Sequence, residues 1–282
     1  MKKIKVMLGM TALALGSVLP MQAQAGNIWL TGHDADLHCT GGSQCNHFGV
    51  AINFVRQDAP DKTKPILFLD SGSELATAAG NAIAKARNTV EGAGNAFNFV
   101  VLDPTAASFA TTLLSVSSFS AIVIASDSSC GGCDNNAADI AAINARTPDL
   151  QAFFNAGGGL AYFAGAGNFA SYYNSVPIAA TAVPTTSPFT LTAAGLSVGL
   201  NEATFNDANC CPTHNSFGLP PSASPLLVAE TDGRGVAETL IGGNLTIGGG
   251  GFGGGGGTVP EPASIALLGI GLAGLGLRRR KQ

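Results

Sequence analysis

The sequence predicts an α/β fold with a doubly wound, mostly parallel sheet and a loop-rich C-terminal third. Two observations lead to this prediction. Short apolar runs alternate along the chain with segments of helical periodicity, and most of these runs are continuously hydrophobic rather than alternating. Continuous hydrophobic strands are typical of a parallel sheet whose two faces are both covered by helices.

Seven apolar runs are predicted strands, at residues 27–31, 65–70, 97–103, 121–126, 159–164, 226–230 and 236–241. Between them, an apolar stripe from Leu75 to Val90 recurs at three- and four-residue steps and predicts a helix. A further helix is expected over 136–146. Thr147 is then placed to cap another, with Pro148 at its first position. After residue 174, repeated prolines predict loops and short antiparallel strands.

The N-terminus has the pattern of an export signal. Lys2, Lys3 and Lys5 precede an apolar run, and Ala23 and Ala25 are small residues at the two positions that a signal peptidase reads. We therefore predict a signal peptide over 1–25 and a mature chain that begins at Gly26. The alternative is a retained N-terminal membrane helix.

The C-terminus contains three consecutive features. Val259, Pro260, Glu261 and Pro262 come first, an uncharged run over 263–277 follows, and Arg278, Arg279, Arg280 and Lys281 come last. A helix over this run would be about 22 Å long, short of a hydrocarbon core of about 30 Å, so it could only just cross the membrane. The basic cluster would hold the C-terminus in the cytoplasm, with the rest of the chain on the far side.

This order of features resembles the PEP-CTERM sorting signal, which exosortase recognises and removes in Gram-negative bacteria. The resemblance implies transient anchoring in the inner membrane, followed by delivery to the cell surface or the extracellular matrix. It also implies an association with exopolysaccharide and biofilm. The alternative is a permanent, unprocessed membrane anchor.

The remaining chain divides into a domain over 26–241 and a glycine-rich linker over 242–258, because 242–257 contain eleven glycines. Without the two targeting ends, the chain has 7 basic and 17 acidic residues, a net charge near −10. Such a chain would be repelled by phosphates, which argues against nucleic acid as a partner.

The alternation of strands and helices over roughly 27–170 resembles the flavodoxin-like fold of class I glutamine amidotransferases. Those enzymes hold a nucleophile on the turn after a strand, and Gly165 occupies the matching position in this sequence. The resemblance therefore implies the architecture without the reaction, because glycine supplies no nucleophile.

The segment after the first predicted strand is a candidate metal site. His33, Asp34, Asp36 and His38 offer two imidazoles and two carboxylates that suit Zn, Mn or Ca in different combinations. A divalent metal is the one cofactor that the sequence suggests. Alternatively, Asp34 or Asp36 caps a helix that begins near Ser43, and His33 bonds to backbone.

Six cysteines in an exported chain favour disulfides. Cys39 and Cys45 enclose a short loop and are expected to pair. Cys130 and Cys133 either pair with each other, as do Cys210 and Cys211, or the two loops are joined, which we prefer because adjacent cysteines pair only with strain. A zinc site built from Cys130, Cys133, one of Cys210 and Cys211, and His214 is a further alternative.

Two functional hypotheses follow. The first is a non-catalytic, exosortase-sorted protein of the cell surface or matrix. The second is a secreted metal-dependent hydrolase that acts on extracellular polysaccharide.

Overall fold

The computed structural model describes residues 25–36, 43–71, 99–127, 135–165, 169–178, 182–201, 214–218, 225–248 and 250–254. The strands are β1 Gly26–Thr31, β2 Ile66–Leu69, β3 Phe99–Leu102, β4 Ala121–Ile124, β5 Gly159–Tyr162, β6 Ala182–Val183, β7 Thr190–Leu191, β8 Ser216–Phe217, β9 Leu227–Thr231, β10 Ala237–Gly248 and β11 Gly251–Gly254. The helices are α1 Ser43–Arg56, α2 Ala107–Thr111, α3 Ala137–Ala145, α4 Thr147–Asn155, α5 Phe169–Tyr172 and α6 Ala193–Ser197.

A nine-stranded sheet organises the domain, in the order β3-β2-β4-β5-β1-β10-β9-β7 with β11 beside β10. The first five strands of this order are parallel to one another, which confirms a mixed α/β fold with a mostly parallel sheet. The remaining strands pair antiparallel. β6 and β8 form a separate antiparallel pair, as expected for the loop-rich C-terminal third.

Helices cover both faces of the sheet. On one face, Trp29 of β1 lies in a core cluster with Phe48, Ala51 and Val55 of α1. On the other face, the neighbouring β1 residues Ile28 and Leu30 pack in a cluster that includes side chains of α3 and α4. The alternation arises because successive strand side chains point to opposite faces. Both faces are apolar, which explains why the strands read as continuous hydrophobic runs.

The starts of α1, α3 and α4 test the predicted helix boundaries. α1 begins at Ser43, where the sequence predicted a helix to start. Asn136 caps α3 in a capping box with Asp139. The predicted cap at Thr147 is wrong, because Thr147 is already helical and its hydroxyl donates back to the Asn144 carbonyl at 2.7 Å.

The sheet continues past residue 241, the predicted end of the domain. β10 continues to Gly248, and Gly251–Gly254 returns antiparallel to it. Leu245 and Ile247 are buried in this extension, and the Asn155 side chain bonds the Ile247 carbonyl at 2.9 Å and its N–H at 2.7 Å. The backbone hydrogen bonds of β10 and β11 and the buried side chains offset the conformational entropy that the glycines lose on folding. Residues 255–258 of the predicted linker lie outside the described ranges.

Several predictions fall on residues that the structure does not describe. These are the signal peptide up to residue 24, the helix between Leu75 and Val90, and the sorting tail with its apolar run over 263–277. Of the helices that the structure describes, none combines the length and the hydropathy that a membrane span needs.

Candidate functional site

Strand register brings two distant polar residues together at the carboxyl end of β1. His33 follows this strand, and Thr31 of β1 pairs with Thr239 of β10. Thr239 in turn pairs with Glu230 of β9. As a result, His33 Nε2 lies 2.7 Å from Glu230 Oε2, and both side chains have no exposed surface.

His47 completes a cluster with these two residues. It lies on the buried face of α1, and its ring centroid is 4.8 Å from that of His33. One ligand atom each from His33, His47 and Glu230 lies within 4.8 Å of the other two, and we call these residues the His–His–Glu cluster. The aromatic rings of Trp29, Phe163 and Phe189 surround the two imidazoles.

The two imidazoles have opposite electrostatic environments. Burial lowers the pKa of His33, but the negative charges of Glu230, Glu238 and Asp34 outweigh it and raise this pKa to about 9. For His47, burial and the charge of His33 both act in one direction and hold the pKa well below its usual value. The cluster without a metal therefore combines a buried imidazolium–carboxylate pair with a neutral imidazole.

Hydroxyl groups hold Glu230 in place. Thr239 Oγ1 donates to Glu230 Oε2 at 3.1 Å, and Thr31 Oγ1 lies 2.9 Å from Thr239 Oγ1. The other carboxylate oxygen, Glu230 Oε1, is buried and has no hydrogen-bond partner among the described residues. A buried carboxylate oxygen without a partner is costly, which makes it a candidate for contact with a cation.

The three predicted metal ligands that the structure describes have different partners. His33 belongs to the His–His–Glu cluster, whereas Asp34 Oδ2 lies 2.9 Å from His214 Nε2. Asp36 Oδ2 accepts from the N–H of Ser126 at 2.7 Å and from its hydroxyl at 3.0 Å. Burial raises the pKa of Asp36 to about 7. His38 lies outside the described residues, so metal binding by the predicted quartet stays a prediction.

His47 and Glu230 were missed by sequence reasoning for different reasons. His47 occupies an apolar helix face, where a histidine is ordinarily a core residue. Glu230 is the acidic residue at the end of an otherwise apolar predicted strand. Glu238, which is buried on β10, is likewise an acidic residue in an apolar predicted strand. A charged residue inside a hydrophobic strand was the available indication, because burying a carboxylate requires a partner.

The turn after β5 has no room for a nucleophile at Gly165. A Cβ atom placed there would lie 2.4 Å from Cδ1 of Tyr172, and the Gly165 N–H donates to Asn215 Oδ1 at 3.1 Å. The side chain of Tyr172 thus fills the space that a catalytic residue would need.

The six cysteine side chains all lie outside the described part of the chain; Cys45 falls within α1, but its side chain is not described. The disulfide pairings therefore remain predictions, as does the zinc alternative with His214.

The comparison with protein families identifies the C-terminus. The PEP-CTERM protein-sorting motif matches residues 258–281. The chain thus carries the motif of exported proteins that exosortase sorts to the cell surface. No curated protein and no solved structure matches the chain, so the flavodoxin-like resemblance of the central domain stays a prediction.

Proposed function

We propose that this chain is a non-catalytic protein of the cell surface or extracellular matrix, associated with exopolysaccharide. The observation that carries the proposal is the sorting motif at residues 258–281. In this proposal a signal peptidase removes residues 1–25, the helix over 263–277 anchors the chain transiently, and exosortase processing releases the domain.

Burial of the polar residues supports a non-catalytic domain. His33, His47 and Glu230 have no exposed surface, and aromatic rings lie around the imidazoles. An active site must admit its substrate, whereas this arrangement gives polymer no access. The filled turn at Gly165 is a second supporting observation, since it removes the position of the amidotransferase nucleophile.

A metal-dependent hydrolase is the second candidate. The observation that favours it is the donor set, since two histidines and one glutamate also hold zinc in several hydrolases. A catalytic zinc needs an open fourth position for water and substrate. Full burial of all three side chains argues against such an opening.

Sorting is tested by replacing Pro260, Glu261 and Pro262 with alanine in the full chain. We expect the variant to accumulate in the inner membrane, while the wild-type domain reaches the surface or medium. Ser264→Ala, two residues after the Pro260-Glu261-Pro262 triplet, is the matched control and should be sorted normally. Unchanged release of the triple variant, measured by fractionation and immunoblotting, would overturn the proposed sorting.

Activity is tested with exopolysaccharide purified from the same cells. The proposal expects the protein to co-sediment with this polymer and to release no reducing ends from it. Dextran serves as a neutral control polymer. Release of reducing ends that is abolished by His47→Gln would instead favour the hydrolase.

A further inference from the structure

We infer that His33, His47 and Glu230 form a closed binding site for one divalent transition-metal ion, best matched to zinc, that joins α1 to β1 and β9. The inference concerns the fold of the domain, and it holds whether or not the chain is sorted as proposed above. Its ligand set differs from the quartet that the sequence suggested, because it shares only His33 with that group.

The donor atoms select the class of metal. Two imidazole nitrogens and one carboxylate oxygen suit zinc, and also cobalt or nickel, among divalent ions. Calcium and magnesium prefer oxygen ligands throughout, so a site with two histidines disfavours them. Zinc also accepts the three-ligand arrangement with a fourth position taken by water or by a second oxygen of the same carboxylate.

The distances between the ligand atoms fit a site that binds an ion after small side-chain shifts. Bonds of about 2.1 Å in a tetrahedral arrangement place ligand atoms about 3.4 Å apart. The three ligand atoms lie within 4.8 Å of one another, and His33 Nε2 is 2.7 Å from Glu230 Oε2. Shifts of about 1 Å, within the reach of side-chain rotation, would therefore produce coordination, with the ion replacing the proton between His33 and Glu230.

The surroundings of Glu230 match those of a metal ligand. Thr239 Oγ1 donates to Oε2, and Thr31 Oγ1 contacts Thr239 Oγ1, so a chain of hydroxyls orients the carboxylate. Oε1 is buried and has no hydrogen-bond partner among the described residues. Such outer hydrogen bonds commonly orient metal ligands and raise their affinity.

The position of the site indicates a structural role. His33 and Glu230 are 197 positions apart in the sequence, and His47 comes from a helix on one face of the sheet. An ion that binds all three therefore joins three elements that the unfolded chain does not bring together. Metal binding of this kind stabilises the folded state, and burial should make metal exchange slow.

The test is metal analysis of the full chain folded in the presence of zinc and then dialysed. We expect one zinc per chain by mass spectrometry of the metal and a higher melting temperature than for the chelated protein. Calcium should give neither result. Absence of bound zinc together with no thermal shift would overturn the inference.

Two sets of variants distinguish this site from the one that the sequence suggested. His47→Gln and Glu230→Gln should lose the metal, whereas Asp34→Asn and Asp36→Asn should retain it. Loss of metal in the aspartate variants with retention in His47→Gln would overturn the assignment and restore the predicted quartet. Thr239→Val should weaken zinc affinity by about 10-fold, because it removes the hydroxyl that orients Glu230.

A spectroscopic measurement on the wild type covers the case in which the variants fail to fold. Cobalt added during refolding should give the intense visible absorption of a tetrahedral site with nitrogen and oxygen ligands, and zinc should displace it. The weak spectrum of hexahydrated cobalt in folded protein would contradict the proposed site. Because this readout does not involve the sorting tail, it separates the metal site from the proposed function.

Discussion

The parallel and antiparallel halves of the sheet bury different kinds of residue. β2 and β4 of the parallel half bury apolar side chains along their whole length. β9 and β10 of the antiparallel half bury Glu230, Glu238 and Thr239 among their apolar residues. The parallel half is thus held by packing, whereas the antiparallel half contains charges that depend on specific partners. His33, which follows β1 where the two halves meet, supplies one such partner.

The largest expected change in stability comes from a substitution that disturbs the packing of the parallel half. A Cβ atom at Gly159 of β5 would lie 1.8 Å from the Val55 carbonyl oxygen of α1, and a backbone atom cannot move aside cheaply. We expect Gly159→Ala to lower the free energy of unfolding by about 4 kcal/mol or more, measured by chemical denaturation. At Gly251 in β11, an added Cβ would meet no atom within 4 Å among the described residues beyond its chain neighbours, so Gly251→Ala should be nearly neutral. Similar stabilities for the two variants would contradict the contrast in packing.

The next effect tests charge pairing in the antiparallel half. With chelator present, Glu230→Gln should cost about 3 kcal/mol at pH 6, because it leaves the His33 charge buried without its carboxylate. Since the pKa of His33 is raised from 6.5 to about 9, the stabilisation from its protonation is complete below pH 6.5 and lost as the pH rises through 9. The cost of the substitution should therefore shrink above pH 9.

Glu238→Gln is the matched control for this experiment. Burial raises the pKa of Glu238 to about 8, against the opposing effect of His33, so its side chain is mostly protonated at pH 6. Glutamine resembles the protonated acid, and the variant should change the stability little. An equal loss for both variants at pH 6 would contradict the specific role of Glu230.

Asp36→Asn is expected to change the stability by a smaller amount and to increase it. Burial raises the pKa of Asp36 from 3.8 to about 7, so its ionisation opposes folding increasingly from about pH 4 until the pH passes 7. Asparagine keeps an acceptor for the Ser126 N–H and removes the charge. We expect a gain of about 2 kcal/mol at pH 8 and none at pH 4 in denaturation experiments. A loss of stability at pH 8 would contradict this account.

The smallest effect tests the hydroxyl contacts of the antiparallel half. Thr239→Val keeps the shape of the side chain and removes its bonds to Glu230 and Thr31, which should cost about 1 kcal/mol in the metal-free protein. Thr190→Val, on the exposed side of β7, should change the melting temperature little. Thermal unfolding of the two variants side by side checks the difference.

The parallel half of the sheet was easier to predict from the sequence than the antiparallel half. The parallel strands were located from continuous apolar runs, because burial on both faces leaves a local signal in each strand. The extension of β10 was missed because its glycines indicated a linker, while the pairing that orders them comes from β1 and β11. His33 was recognised as a candidate ligand, but its partners were not, since neither lies near it in the sequence.

The sequence by itself determined the sorting motif, the α/β class and the positions of most strands. Each of these depends on residues that are adjacent or regularly spaced, so local pattern is sufficient. Only the tertiary structure decided that His33 meets Glu230 and His47, rather than Asp36. The physical reason is that strand register and the packing of α1 on the sheet fix these contacts, and both depend on distant parts of the chain.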